Sequence, residues 1–470
     1  MDQATGPLPE KPREAGVTMG SELTIACRDT GVATKTHTKA MQTRDVILAA
    51  AAKLFRDEGY TATTLRQIAK FADIEAGSIY YHFPSKEAIV CEVLQIGVRD
   101  VFEAVLRVKE RIRQSETGFR RGFELMIGAH LGSIMKGSEF ASANIRNFSR
   151  LPEDLRAVHR PLRRRYAGLW DELLEEGRVN GDVRPDIDLM LLRQFVLSAL
   201  NWTVEWHDVD RYHVEVLSEG LSRLLLDGMA AQGTDISDEP APILIKFAEI
   251  ADLAGDDGTK ASRTRAHLLS VAARVLRERG YKATTMRDIA EAANIKAGSI
   301  YYHFASKDEI VDAVLDIGLR HLLREISEVV ANETAIRGYR TRIAAAIRIH
   351  LEYLFHLSDF VSANIRIYGQ LPSAIRARHR PLRRAYAQVW DKFLQEAQAA
   401  GVIRPDIRIV PLRQAMLGAL NWSVEWFDPG KQGSKGDHSL ADLIAMVQTL
   451  LLDGLQSPDL RAAQIALGSP

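Results

Sequence analysis

The octapeptide AGSIYYHF stands at 76–83 and again, unchanged, at 297–304. It is the centre of a longer match without gaps. TRDVILAAAAKLFRDEGYTATTLRQIAKFADIEAGSIYYHFPSKEAIV (43–90) is answered by TRAHLLSVAARVLRERGYKATTMRDIAEAANIKAGSIYYHFASKDEIV (264–311). A second block follows each copy. FASANIRNFSRLPEDLRAVHRPLRRRYAGLWDELL (140–174) is answered by FVSANIRIYGQLPSAIRARHRPLRRAYAQVWDKFL (360–394), and LNWTVEW (200–206) by LNWSVEW (420–426). Whatever this chain folds into, it must fold into it twice. The period, about 200 residues, lies far above the 20–50 residues of stacked solenoid repeats, so a whole globular unit has been duplicated in tandem.

The expected layout is a disordered lead (1–40), a head (41–87), a body (88–230), a linker (231–260), a second head (261–308), a second body (309–456) and a tail (457–470). Within the linker, ILIKFAEIADLAG has helical apolar spacing and is expected to form a short helix. In the first head, Val46, Leu48, Ala49, Ala52, Leu54 and Phe55 make a helical stripe that stops at Gly59. Thr64 then stands where a hydroxyl caps the short helix LRQIAKFA. No run alternates apolar and polar residues long enough for a strand. The expected fold class is all-α.

Composition removes several functions. Two cysteines, Cys27 and Cys91, in 470 residues argue against a disulfide scaffold and for a reducing compartment. No stretch approaches the ~18 apolar residues of a membrane span, and MDQATGPLPEKPREAG lacks the apolar core of a secretion signal. A soluble cytoplasmic protein with no membrane contact is expected. The formal net charge is zero, so any surface for nucleic acid has to be local.

Residues 64–83 read as helix, tight turn, helix. Ile68, Ala69 and Ala72 share a face, and small Ala69 lets the second helix cross closely. Asp73 and Asn294 occupy the turns, as suits residues that tolerate positive φ. Ile74 and Ile79 anchor the second helix. This is helix-turn-helix patterning, whose second helix enters the major groove of DNA. Ser78 and Tyr81 are set to meet base edges, and Thr64, Tyr80 and His82 to meet phosphates. Lys86 opens the next helix, where its ammonium and the helix amides would share one phosphate. Tyr80 also admits a reading as a core hydroxyl; Phe83 and Phe304 read as core.

The stretch TTLRQIAKFADIEAGSIYYHFPSKEAI resembles the DNA-binding domain of the TetR/AcrR family of bacterial repressors, in which a three-helix head sits on a helical ligand-binding and dimerisation body. The resemblance implies DNA contacts at Thr64, Ser78, Tyr80, Tyr81, His82 and Lys86, and in the second copy at Thr285, Ser299, Tyr301, Tyr302, His303 and Lys307. The heads differ in charge. Residues 35–90 hold eight Lys and Arg against six Asp and Glu, whereas 260–311 hold ten against five. Glu75 precedes the first octapeptide and Lys296 the second, so Lys296 joins the expected contacts and the operator should be an imperfect palindrome. A linker of about 30 residues spans roughly 30 Å as a coil, close to the 34–36 Å between half-sites one turn apart. One chain is therefore expected to act as an intramolecular pseudo-dimer through 191–206, 411–426 and the C-terminal helices of each body. A further homodimer with four heads is the other arrangement.

In the bodies, HRPLRRRYAGLW carries Arg160, Arg163 and Arg164, repeated at Arg380, Arg383 and Arg384. These read either as a solvated face or as a seat for an anionic ligand group. The LNW…W ending resembles regulators of fatty-acid and steroid catabolism that answer to acyl-coenzyme A thioesters. Candidate pocket residues are Arg146, Phe148, Tyr166, Trp170, Trp202 and Trp206, with Arg366, Tyr368, Tyr386, Trp390, Trp422 and Trp426 in the second copy. No cofactor and no metal site is expected. His159 and Glu205 lack a nucleophile, metal cluster or phosphate loop beside them, so catalysis is not expected. The reading is a ligand-released DNA-binding regulator, a repressor by family habit. Its alternative is an interaction protein in which only the second head binds DNA and the first unit serves dimerisation.

Overall fold

The structure, a computed structural model, describes residues 39–115, 117–135, 139–206, 212–228, 259–333, 336–356, 358–428 and 438–454. The expected linker helix and tail, and the lead up to residue 38, fall outside these. Among the described residues all regular elements are helical, and no helix is long and apolar enough to cross a membrane. The first unit runs α1 Lys39–Glu58, α2 Leu65–Phe71, α3 Ala76–His82, α4 Lys86–Gln114, α5 Phe119–Met135, α6 Glu139–Asn147, α7 Glu153–Val179, α8 Leu189–Asn201, α9 Thr203–Trp206 and α10 Val214–Asp227. The second runs α11 Lys260–Ala283, α12 Met286–Ala292, then a 3-10 turn Ser299–Tyr302 where α3 stood. It continues with α13 Lys307–Ala331, α14 Tyr339–His356, α15 Ser358–Ile367, α16 Ser373–Ala399, α17 Ile409–Trp422 and α18 Leu440–Asp453.

Local rules set the heads. Thr64 and Thr285 begin α2 and α12 in capping boxes, each hydroxyl accepting from the backbone N–H three residues on. Asp73 and Asn294 take φ of 52° and 53° in the turns that follow, which reverses the chain sharply enough for Ile79 and Ile300 to be fully buried. Of the expected α1 stripe, Leu48, Ala52, Leu54 and Phe55 are buried, but two members are not. Val46 is 48% exposed and Ala49 lies outside the core, while Ile47, Ala50 and Ala51 are buried. The run VILAAAA is apolar on every side, so its spacing leaves the buried face to packing against α4 and α6.

Helices α4 and α13 join head to body rigidly. Ile89, Val90, Val93 and Leu94 belong to the head core, and Val101, Phe102, Val105 and Val108, farther along α4, to the body core. The body core does not stop at the unit boundary. Leu192, Phe195 and Leu224 of the first body and Leu412, Met416 and Leu450 of the second lie in one continuous apolar cluster, because α8 packs on α17 and α10 on α17 and α18.

The seam is not symmetric. Gly418 on α17 faces the Trp202 indole so closely that a Cβ there would stand 2.5 Å from its Cγ. The counterpart of Gly418 is Ser198, whose Oγ accepts from Trp426 Nε1 at 2.9 Å. Trp202 and Trp422 meet edge to face, 6.5 Å between centroids. Ion pairs Arg404–Asp227 and Arg223–Asp406, each 3.3 Å, flank the seam, and Lys282 of one head pairs with Glu58 of the other at 2.8 Å. A Gly418→Ala change should overpack the indole seat and cost roughly 1–3 kcal/mol, read as a lowered midpoint of thermal unfolding. Ser198→Gly removes two hydrogen bonds, one from Trp426 Nε1 and one to the carbonyl of Gln194, and should cost roughly 2 kcal/mol.

Candidate DNA-binding surface and internal cavities

The distal face of each head holds large aromatics in water. Tyr81 and Tyr302 are 89% and 90% exposed although Ile79 and Ile300 beside them are sealed. Tyr80 and Tyr301 are 62% and 58% exposed, so the core-hydroxyl reading of Tyr80 does not hold: the ring projects outward. His82 and His303 are half-buried, each set edge to face against the neighbouring tyrosine at 5.9 Å. Phe83 and Phe304 are core, roofed by the guanidinium groups of Arg44 and Arg265 at 4.6 and 4.5 Å. Ser78, Ser299, Glu75 and Lys296 are exposed. The two octapeptides are identical, yet the first is α-helical over Ala76–His82 and the second 3-10 over Ser299–Tyr302. At this length the two forms compete closely.

Two expected phosphate contacts are already engaged. The Thr64 hydroxyl donates to Gln67 Oε1 at 2.8 Å, and that of Thr285 to Asp288 Oδ2 at 2.6 Å. Lys86 Nζ donates to the carbonyls of Tyr60 and Thr63, both at 3.0 Å, and lies 4.3 Å over the Tyr60 ring. Lys307 repeats this on Tyr281 and Thr284 at 2.8 and 2.9 Å. Burial pushes both ammonium groups below the usual lysine value. Each retains one N–H, so these lysines are fixed charges beneath the tyrosines rather than mobile arms.

Behind each head lies a cavity. Cavity 1, about 410 Å³, is lined by Phe148, Arg160, Arg163, Arg164, Tyr166 and His130 of the first unit, with Trp422 and Trp426 of the second. Cavity 2, about 380 Å³, is lined by Tyr368, Arg380, Arg383, Arg384, Tyr386 and His350, with Trp202 of the first unit. The basic segment therefore faces the cavities, not solvent alone. Arg163 lies 3.8 Å over the Phe148 ring and donates to Asn144 Oδ1 at 3.1 Å; burial lowers its pKa to about 10. Arg383 repeats the pose over Tyr368 at 3.9 Å. Burial keeps His130 and His350 neutral, with pKa values of about 3 and 4, each bonded through Nδ1 to Tyr166 or Tyr386.

Other expected pocket residues stand elsewhere. Trp170 and Trp390 are fully buried in the core. Trp206 packs on Tyr212. Arg146 is a strut: it pairs with Glu205 at 2.7 Å and donates to the carbonyl of Arg56 in α1 at 3.2 Å. Arg366 pairs with Glu425 at 3.0 Å. Sequence reasoning missed His130, Asn201, Arg193 and their counterparts, which line the cavities from helices distant in sequence. It also missed Asn147, whose amide bonds the carbonyl of Phe55 at 2.9 Å and the N–H of Tyr60 at 2.8 Å. Helix α6 thus touches cavity 1 through Asn144 and Ile145 and the head through Arg146 and Asn147. In the second unit Ile367 replaces Asn147 and is buried among apolar side chains. His159 is sealed and held neutral by burial, and Glu205 is spent on Arg146.

Comparison with known proteins follows the same division. The family described as bacterial regulatory proteins, tetR family, matches residues 47–93 and 268–314, and the tetracyclin repressor-like C-terminal domain matches 122–229 and 338–455. The chain is 32% identical over 209 residues to the HTH-type transcriptional repressor KstR2 of Rhodococcus jostii (strain RHA1), covering 43% of this chain and 96% of that protein. It is 26% identical over 192 residues to the fatty acid metabolism regulator protein of Bacillus subtilis (strain 168), covering 39% and 93%. Among solved structures, the ketosteroid transcriptional regulator KstR2 of Mycobacterium tuberculosis is 28% identical, covering 39% of this chain and 92% of that one with a TM-score of 0.35. Each relative matches about one unit. The chain belongs to the TetR family of bacterial transcriptional regulators, a DNA-binding protein and not an enzyme, and carries the family's head and body twice.

Proposed function

We propose that one chain acts as a ligand-released repressor, its two units pairing as an intramolecular pseudo-dimer on an imperfect palindromic operator in the cytoplasm, at the nucleoid when bound. The observation that carries this reading is the single apolar core shared by both bodies, which ties the two heads into one assembly. The charged contact between Glu58 and Lys282 supports it: the counterparts of these residues are Arg279 and Thr61, so two second units facing each other would set Arg279 against Lys282. DNA contacts fall to Ser78, Tyr80, Tyr81, His82 and Lys86 and to Lys296, Ser299, Tyr301, Tyr302, His303 and Lys307, with Thr64 and Thr285 steadying α2 and α12. The effector is an acyl-coenzyme A thioester. Arginines at the cavity rims suit nucleotide phosphates, and aromatic and aliphatic walls suit the chain; the relatives named for fatty-acid and ketosteroid regulation point the same way. Ligand in a cavity displaces α6 or α15, and the attached head leaves the spacing DNA requires.

Gel-shift titration tests the heads. Tyr81→Ala and Tyr302→Ala should each weaken operator binding at least tenfold; loss from Tyr302→Ala alone would favour the reading in which the first unit serves only dimerisation. Glu75→Lys removes a carboxylate beside phosphate and should tighten binding and steepen its salt dependence, which affinities at two salt concentrations will show. Arg146→Gln unhooks α1 from Glu205. It should leave palmitoyl-coenzyme A binding unchanged, by calorimetry, while weakening protection of the first head's half-site in footprinting.

A further inference from the structure

The two cavities descend from one design, but their charges and hydrogen bonds have diverged in opposite senses. In the first unit, α7 opens with Glu153 and Asp154. Glu153 bonds Arg156 at 2.7 Å and also Arg160, both of which line cavity 1. In the second unit α16 opens with Ser373 and Ala374, and no acid stands in its first turn. Among the described residues, Arg380 and Arg384 line cavity 2 with no carboxylate paired to either. Glu425 lines cavity 1, paired with Arg366, and Glu205 comes near Arg383 in cavity 2, so the cross-unit carboxylates roughly cancel in the comparison. Cavity 1 also has Arg156 in its wall, where the counterpart Arg376 does not line cavity 2, so the difference left is Glu153 pairing with both Arg156 and Arg160 at the mouth.

Deeper in, the contrast reverses. His350 spends both ring nitrogens internally, Nδ1 on Tyr386 at 2.7 Å and Nε2 on Asn421 Oδ1 at 3.0 Å. His130 bonds Tyr166 through Nδ1, but its Nε2 has no partner although the residue is 1% exposed and lines cavity 1. Asn201, the counterpart of Asn421, lies close enough to raise the His130 pKa against burial, yet makes no hydrogen bond of ordinary length and angle to Nε2. A buried imidazole N–H without a partner is costly and favours a ligand oxygen.

We propose that the two cavities take chemically different ligands, so that one chain reads two signals. Cavity 2 takes the amphiphile with a polyanionic head, of acyl-coenzyme A type. Cavity 1 takes a largely uncharged apolar molecule whose carbonyl or hydroxyl oxygen accepts from His130 Nε2. This rests on the effector reading given above for the cavities.

Calorimetric titration of the full chain with palmitoyl-coenzyme A should show one tight site per chain. Glu153→Ser should add a second site of comparable affinity, and Ser373→Glu should weaken the first by about tenfold, the scale of one added charge near a phosphate. Two equal sites in the unmodified chain, unmoved by either exchange, would overturn this inference and leave the acyl-coenzyme A reading standing. Absence of binding to the chain and to both variants would overturn both. For cavity 1 the probes are 1-decanol and decane. Decanol should bind at one equivalent, and His130→Phe should abolish that binding while His350→Phe keeps it; retained palmitoyl-coenzyme A binding in His130→Phe certifies the fold. Equal binding of decane, or loss through His350→Phe instead, would overturn the assignment.

Discussion

The Trp202 indole fills the space that any side chain at position 418 would need, and the assembly depends on that seat. It brings α8 against α17, closes the apolar cluster common to both bodies, and sets Trp202 into the wall of cavity 2 while Trp422 and Trp426 enter the wall of cavity 1. Each cavity is therefore completed by the other unit. A ligand that moves these indoles acts on the seam and on a head at once, since α6 reaches from cavity wall to head within nine residues.

Duplication frees the two halves to differ. A homodimer must use one sequence on both sides of its axis, so a small residue opposite an indole on one side is small on the other. Here Gly418 receives Trp202 while Ser198 accepts from Trp426, Glu58 of one head meets Lys282 of the other, and Glu75 stands where Lys296 does. The same freedom lets Asn147 hold the first head through its amide and Ile367 the second through apolar burial.

Much of this was legible in the sequence because much of it is local. The repeat announced two units, Thr64 and Thr285 announced the caps, and Asp73 and Asn294 announced turns that the backbone makes with positive φ. The helix-turn-helix reading needed only spacing within twenty residues. What escaped depends on partners brought together by the fold. Nothing near Lys86 in sequence says that its ammonium is held by the carbonyls of Tyr60 and Thr63. Arg146 looked like a pocket cation and is a strut to α1, because its partner Glu205 lies on a distant helix. The face of α1 was misjudged at Val46 and Ala49 because an unbroken apolar run has no phase to read. Trp202, Trp422 and Trp426 line cavities whose identity the seam decides, whereas Trp170 and Trp390, read from the sequence as pocket residues, fill the core.

The central claim is that one chain supplies both heads to one operator. Multi-angle light scattering of the full chain, alone and with a short duplex carrying a single operator, tests it most directly. The account predicts the mass of one chain without DNA and of one chain per duplex with it. A mass of two chains per duplex, or a stable two-chain particle without DNA, would contradict it.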